Sequence, residues 1–385
     1  MKKRILALLM AMMMAAALCA CGGGAQPPAP PEEEGDETAA VGIAPEDLRI
    51  GLIMISDSAD AYSGNHIEGM YKAIENLGLD ADTNLILKTN VGESADCDTA
   101  IRELAEAGCQ IIFSNSFGHE QFMVTAAPDF PEIQFCAATG YQSALSPDDN
   151  TYNYFARIYE ARYLSGIAAG LKTESNMIGY VAAKPFAEVI SGYTAFYLGA
   201  KSVNPDVVMY VNYTDEWSHA GKEATNAQAL IDMGCDVIGQ HSDTSAPSTT
   251  AEAAGVWSIG YNDDMIPYAP GAALVSARID WSVYYTFALA CMLNGDTIPQ
   301  DWCEGLSEGA VYLSPLNEAL IAEGTADAIN LAMQALLDGS VQVFQGPLMN
   351  VDGTVAVEEG AFYFENENAS APSWDKIIEG INVLS

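Results

Sequence analysis

The chain has 385 residues, 50% of them hydrophobic, and sets 15 Lys and Arg against 52 Asp and Glu, for a formal net charge of −37. Such a field repels nucleic acid and anionic membrane surfaces, and it disfavours a multiply charged phosphate ester because no Gly-rich phosphate loop is present to receive one. Neutral or cationic small molecules remain as ligands, while most of the carboxylates read as a solvated surface.

The chain opens with Lys2-Lys3-Arg4, a Met/Ala/Leu run over 5–17 and small residues before Cys21. This is the layout of a lipoprotein signal peptide over 1–20, with Cys21 as the lipidated residue. The run is shorter than the roughly 20 apolar residues that a membrane-spanning helix needs, and no later stretch reaches that length. Over 21–47 follow Gly22-Gly23-Gly24, Pro27-Pro28-Ala29-Pro30-Pro31 and Glu32-Glu33-Glu34, a Pro- and Glu-rich tether expected to be disordered. The working protein is therefore expected on the extracytoplasmic face of the cell membrane, held there by its lipid alone.

From residue 49 onward, short apolar runs alternate with helix-period segments, the pattern of parallel sheets covered by helices. The first half predicts strands at 50–55, 85–88, 111–113 and 133–136 with helices at 64–77, 99–107 and 120–126. The second half repeats the rhythm, with strands near 177–181, 207–211, 236–238 and 256–259 and helices at 188–202, 222–233 and 246–254. A helix at 161–172 opens this second half. An echo between Gly108-Cys109-Gln110-Ile111-Ile112-Phe113 and Gly234-Cys235-Asp236-Val237-Ile238-Gly239 supports two lobes of like build. The fold class is α/β, with two doubly wound parallel-sheet lobes. Residues 48–155 and roughly 280–345 are expected to form lobe 1 and 156–279 lobe 2, and the repeated crossing makes a hinge. Beyond 294, a long helix pattern spans 316–337 and a hairpin with an Asp352-Gly353 turn spans 341–357. The segment 346–385 is not assigned to a lobe.

Open α/β sheets bind ligands beyond the carboxyl ends of their strands, which nominates 56–63, 114–118, 182–186, 213–217, 240–245 and 260–264. These tips are rich in rings and carboxylates: Asp57, Asp60, Tyr62, Phe117, Phe186, Trp217, Asp243, Tyr261, Asp263 and Asp264, followed by Asp280 and Trp281. Rings can grip the faces of a planar neutral heterocycle while a carboxylate receives its N–H edge. Sugars are held by the same residue types, so the ligand class stays open on this pattern.

An enzyme is not indicated. His66, His119, His219 and His241 are the only histidines, and neither an HExxH helix nor a GxSxG elbow occurs. Cys97, Cys109, Cys136, Cys235, Cys291 and Cys303 lack metal-site spacing, and no cofactor or metal is expected.

Segments 150–169, 188–205, 217–223, 240–244, 260–265 and 280–285 together resemble the basic membrane protein family of bacterial lipoproteins, over roughly 49–295. The resemblance implies the type I periplasmic-binding fold and a substrate-binding role beside the permease and ATPase subunits of an ABC importer, with a purine base or nucleoside as ligand. It further implies Tyr62 as the stacking aromatic, Ser63 at a position where many members have Asn, Asp243 and Asp264 as tip carboxylates, and Trp217 with Lys222 as a second-lobe element. Ala59, His219, Ile279 and Asp280 depart from the family pattern at positions tied to ribose contacts. A surface sensor of the same fold binding a sugar or another heterocycle is the alternative.

Overall fold

The computed structural model describes residues 42–365 and 369–384, all within one compact unit, so the signal peptide, Cys21 and most of the tether lie outside the described residues. Apolar runs too short for helices form two sheets. In the first lobe the strands are β1 (Ile50–Ile53), β2 (Leu85–Lys88), β3 (Ile111–Ser114), β4 (Gln134–Ala138) and β5 (Thr151–Ala156). The second lobe follows with β6 (Met177–Ala182), β7 (Val208–Tyr213), β8 (Val237–His241), β9 (Trp257–Tyr261) and β10 (Ala273–Ile279). The later strands are β11 (Asp301–Glu304), β12 (Val311–Leu313), the hairpin β13 (Leu348–Met349) and β14 (Val355–Val357), and β15 (Ile381–Val383).

The first sheet runs β11-β5-β4-β3-β1-β2, with every pair parallel. The second runs β12-β10-β9-β8-β6-β7-β15, parallel except for β12 at its edge. Helices cover both faces of each sheet. In chain order they are α1 (Ala61–Asn76), the single turn α2 (Ala81–Asn84), α3 (Ala95–Glu106), α4 (Glu120–Ala126) and α5 (Ile158–Lys172), then α6 (Ala187–Val203), α7 (Ala220–Asp232), α8 (Ala246–Ala254), α9 (Ser282–Asn294) and α10 (Thr325–Leu337). Ile67 and Met70 of α1 and Leu289 of α9 share one core on the first sheet, and Ile101 and Leu104 of α3 with Met123 of α4 fill the other face. On the second sheet α5 and α6 occupy one core and Ala227, Leu230 and Ala251 of α7 and α8 the other.

Strands with apolar runs form where expected; strands carrying buried polar residues do not announce themselves. β5 reads Thr-Tyr-Asn-Tyr-Phe-Ala and is buried throughout, Asn153 included. The predicted helix at 316–337 begins only at Thr325, because Gly324 takes a left-handed turn at φ +83° ahead of it. The domain assignment needs one correction. Of 280–345 only α9 and β11 return to the first lobe; β12 joins the second sheet, and Ile329, Val343 and Phe344 lie in the second-lobe core. The segment left unassigned also belongs there, since β15 extends the second sheet beside β7 and Trp374 is fully buried in that core.

The chain therefore passes between the lobes three times, at 156–158, 279–282 and 304–311. Arg157 on the first crossing reaches the third, donating to the Cys303 carbonyl at 3.1 Å and to Glu308 at 3.0 Å. Asn65 of α1 meets the second crossing by donating to the Ile279 carbonyl at 2.9 Å. All six cysteines among the described residues are free thiols, and all but Cys303 are buried.

Close helix packing sets the second lobe. A Cβ on Gly199 of α6 would stand 1.9 Å from the Tyr163 carbonyl oxygen of α5, and one on Gly166 would stand 2.0 Å from the Phe196 carbonyl oxygen. Backbone atoms cannot yield as side chains do, so Gly199→Ala is expected to lower stability by about 1–3 kcal/mol, read as a lower urea midpoint at unchanged slope.

Candidate functional site

The carboxyl ends of the central strands of both sheets face one cleft, with a cavity of about 300 Å³, within the range of small-molecule sites. From the first lobe it is lined by Ile55, Ser56, Asp60, Tyr62, Glu93 and Asn115 to Phe117, with Thr139. From the second come Lys184, Glu188, Glu216 to Ser218, His241, Asp243 and Tyr261.

Tyr62 is held by its neighbours before any ligand arrives. Its hydroxyl donates to the Asn115 carbonyl at 2.6 Å, and its ring meets His66 edge-on with centroids 4.7 Å apart. Asn115 in turn accepts from the Ile55 amide at 2.9 Å and donates to the Ser63 hydroxyl at 3.2 Å. Trp217 lies on the opposite lobe with Phe186 5.9 Å away, and Phe186 approaches Phe117 of the first lobe at 5.9 Å. Two hydrogen bonds also cross the cleft. The Ala61 amide donates to the Asp243 carbonyl at 3.2 Å, and the Ser218 hydroxyl donates to the Asp60 carboxylate at 3.0 Å. Asp60 also caps α1 by accepting from the Ser63 amide at 3.0 Å, so one carboxylate serves the helix and the opposite lobe.

The carboxylates here are short of water. Burial, then Asp60, Glu223 and Glu188 nearby, hold the Asp243 carboxyl well above its usual range, against one hydrogen bond of 2.9 Å from Asn262. Glu223, fully buried on α7, shapes this tip by accepting from the Ser242 hydroxyl at 2.9 Å and the Thr244 hydroxyl at 2.7 Å. Glu188 is pushed up to about 7 by burial, opposed by the charge of Arg162. His241, fully buried and near Arg162, stays neutral because both burial and that charge press its pKa well below the usual value. Against the lining carboxylates Asp60, Glu93, Glu188, Glu216 and Asp243 stands the single cation Lys184. The cleft therefore rejects anions and suits a flat ligand rich in N–H donors.

Of the residues nominated from sequence, Asp60, Tyr62, Phe117, Trp217, Asp243 and Tyr261 line this cavity together, with Phe186 at its mouth. Five others do not. Ser63 is buried behind Asn115, accepting from it and from the Ser56 amide at 3.2 Å. Asp57 accepts from the Ala59 amide at 3.0 Å and lines a neighbouring crevice instead. Asp264 accepts from the Ile266 amide at 3.1 Å, capping its own turn. Asp280 pairs with Lys72 at 2.5 Å on the second crossing. Trp281 is 1% exposed and stacked on His66 with centroids 3.9 Å apart, a core residue of the hinge. Lys222 pairs with Glu216 at 3.1 Å rather than facing the cavity. Glu188 and His241 were missed as individual residues. His241 stood within a nominated tip, whereas Glu188 is the second residue of α6, just past the nominated tip at 182–186.

Residues 50–341 match the Bmp family model, described as ABC transporter substrate-binding protein PnrA-like. A purine-binding protein from Brucella abortus (strain 2308) is 34% identical over 323 residues, covering 82% of this chain and 89% of that protein. A Haloferax volcanii protein, provisionally named an ABC transporter glucose-binding protein, is 34% identical over 252 residues, 66% of this chain and 63% of its own. Among solved structures, an ABC transporter solute-binding protein from Aeropyrum pernix K1 superposes with a TM-score of 0.65 at 18% identity, covering 77% of this chain and 92% of that one.

Glu188 is protonated more readily folded than unfolded, so its burial weakens the fold as pH rises from about 4.5 toward about 7. Glu188→Gln removes that penalty. The unliganded variant is expected to melt above the parent at pH 8, with the difference closing below pH 5 in calorimetric scans.

Proposed function

The chain belongs to the PnrA-like family of ABC transporter substrate-binding proteins, and from that premise we propose that it captures a purine base or nucleoside between its lobes and delivers it to an ABC permease. One observation carries the ligand class. The cavity sets Tyr62, Phe117 and Trp217 around carboxylates that outnumber the one cation of its wall, Lys184, which suits a planar ring with N–H edges and disfavours phosphates. The purine-binding relative from Brucella abortus supports the same reading. Substrate-binding proteins of ABC importers act outside the cytoplasm, and the ATPase that powers import is a partner subunit.

Capture follows from the geometry. Tyr62 is pre-oriented by Asn115 and His66, so stacking on it requires little ordering of the protein. Closure brings Trp217 and Asp243 onto the same ring and forms the bonds from Ser218 and Ala61 across the cleft. The sequence from Lys2 to Cys21 supports a lipid anchor on Cys21 that keeps the receptor near its permease. The sugar alternative is favoured by the Haloferax volcanii relative and predicts a different titration.

Isothermal titration with adenine, inosine and glucose separates these readings. A purine is expected to bind at micromolar Kd or tighter and glucose not at all; binding of glucose alone would overturn the purine assignment. Trp217→Ala is expected to weaken purine binding by about 1–3 kcal/mol while leaving the melting temperature of the free protein near that of the parent. In the producing cell, Cys21→Ser is expected to move the protein from the membrane fraction to the soluble one, and retention in the membrane would exclude the lipid anchor.

A further inference from the structure

The floor of the cleft holds an acceptor that the protein leaves unused. Four of the five lining carboxylates already take hydrogen bonds from protein groups. Asp60 accepts from Ser63 and Ser218, Glu93 from the Ser116 hydroxyl at 2.6 Å and the Gly118 amide at 2.8 Å, Glu216 from Lys222, and Asp243 from Asn262. Glu188 is the exception. Its side chain is 14% exposed, lines the cavity, and lies 3.5 Å from the His241 Nε2 atom, beyond a well-formed hydrogen bond. A carboxylate withdrawn from water and given no donor is an open acceptor.

Behind it lies a cation that is equally unmatched. Arg162 of α5 is 1% exposed, donates from Nη1 to the Gln240 carbonyl at 2.6 Å, and lies 3.5 Å from the centroid of the Tyr261 ring. Its Nε and Nη2 atoms have no partner among the described residues. No ion pair joins Arg162 to a carboxylate among these residues, and it is not part of the cavity wall, so its charge acts through space. Gly192 of α6 leaves room for the layer between them, since a Cβ there would stand 3.0 Å from the His241 Nδ1 atom.

We propose that Glu188 accepts an N–H of the bound heterocycle, and that Arg162, which does not touch the ligand, is the positioning residue that keeps this acceptor charged. The inference rests on the reading that the ligand is a purine. The charged and titratable groups facing Glu188 are Arg162 on α5, His241 at the end of β8, Asp243 beyond it, Tyr261 at the end of β9, Tyr62 across the cleft, and Lys184 in the loop before α6. His241 and both tyrosines are neutral near pH 7, Asp243 opposes ionisation, and the Lys184 ammonium sits over Trp217, 5.4 Å from its ring. Arg162 is thus the buried cation left to support Glu188.

Burial pushes Glu188 up to about 7 against the charge of Arg162, so part of the population carries a proton there near neutrality. A ligand N–H needs the carboxylate, so binding transfers that proton from Glu188 to the buffer, and affinity rises as pH climbs through neutrality.

Titration calorimetry of the full chain at pH 7, in buffers of different ionisation enthalpy, tests this with adenine as the probe. The parent is expected to release a measurable fraction of a proton on binding adenine. Glu188→Gln, which keeps the shape, is expected to lose about ten-fold or more in affinity and to release fewer protons than the parent. Arg162→Met is expected to move the pH midpoint of adenine affinity upward, and Arg162→Lys to restore it in part. Parental affinity and proton release in Glu188→Gln would overturn the acceptor role. An unchanged midpoint in Arg162→Met would overturn the positioning role. Absence of adenine and inosine binding in the parent would instead overturn the purine reading. The role of Arg162 is then decided by carbon-13 carboxyl titration of Glu188 in the unliganded proteins: a midpoint raised in the Arg162 variants supports it, and an equal one overturns it.

Discussion

A carboxyl group withdrawn from water must find donors or take up a proton, and the cleft gathers such groups where the strands of both sheets end. Elsewhere among the described residues a buried carboxylate such as Glu120 is satisfied by backbone amides of the protein itself, those of Tyr141, Gln142 and Ser143. At the cleft the same chemistry becomes selective, because Asp60, Glu188 and Asp243 are desolvated together with one exposed-side cation near them. Rings from both lobes supply contact area without changing this charge balance. A ligand that brings N–H groups relieves the site, and one that brings negative charge worsens it.

Holding these groups at one mouth is the work of the chain path. Three crossings join the lobes, and side chains tie the crossings together: Arg157 links the first to the third, while Asn65 and the stacked pair His66 and Trp281 support the second. Across the mouth the protein bonds from the Ala61 amide and the Ser218 hydroxyl, beside the approach of Phe117 to Phe186, and next to the second crossing Arg278 of β10 donates to Asn65 and Glu68 of α1, both at 3.2 Å. The hinge is strongly specified, and a ring held in the cleft would add its contacts to those that already join the lobes.

Much of this was legible in the residues, for identifiable reasons. Parallel strands buried on both faces read as apolar runs, so β1, β3 and β8 were plain, and the rule that ligands bind beyond strand ends located Asp60, Tyr62, Trp217 and Asp243. β5 was not, because its Asn153 breaks the run although the strand is fully buried. Asp280 and Trp281 were nominated on composition and position, yet an aromatic beside a carboxylate serves a hinge as well as a ligand. Glu188 escaped because its role depends on which side chains surround it after folding; nothing near it in sequence reveals Arg162, 26 positions earlier. The C-terminal run gave no repeat to follow, and only the pairing of β15 with β7 places it on the second sheet.

The free thiols have a consequence for where this receptor can work. Burial pushes Cys97, Cys136 and Cys235 up to about 12, far from the reactive thiolate form, so they behave as small apolar side chains. No covalent bridge spans the lobes among the described residues. The described fold is thus held by packing and hydrogen bonds, whose strength does not depend on the redox state of its surroundings.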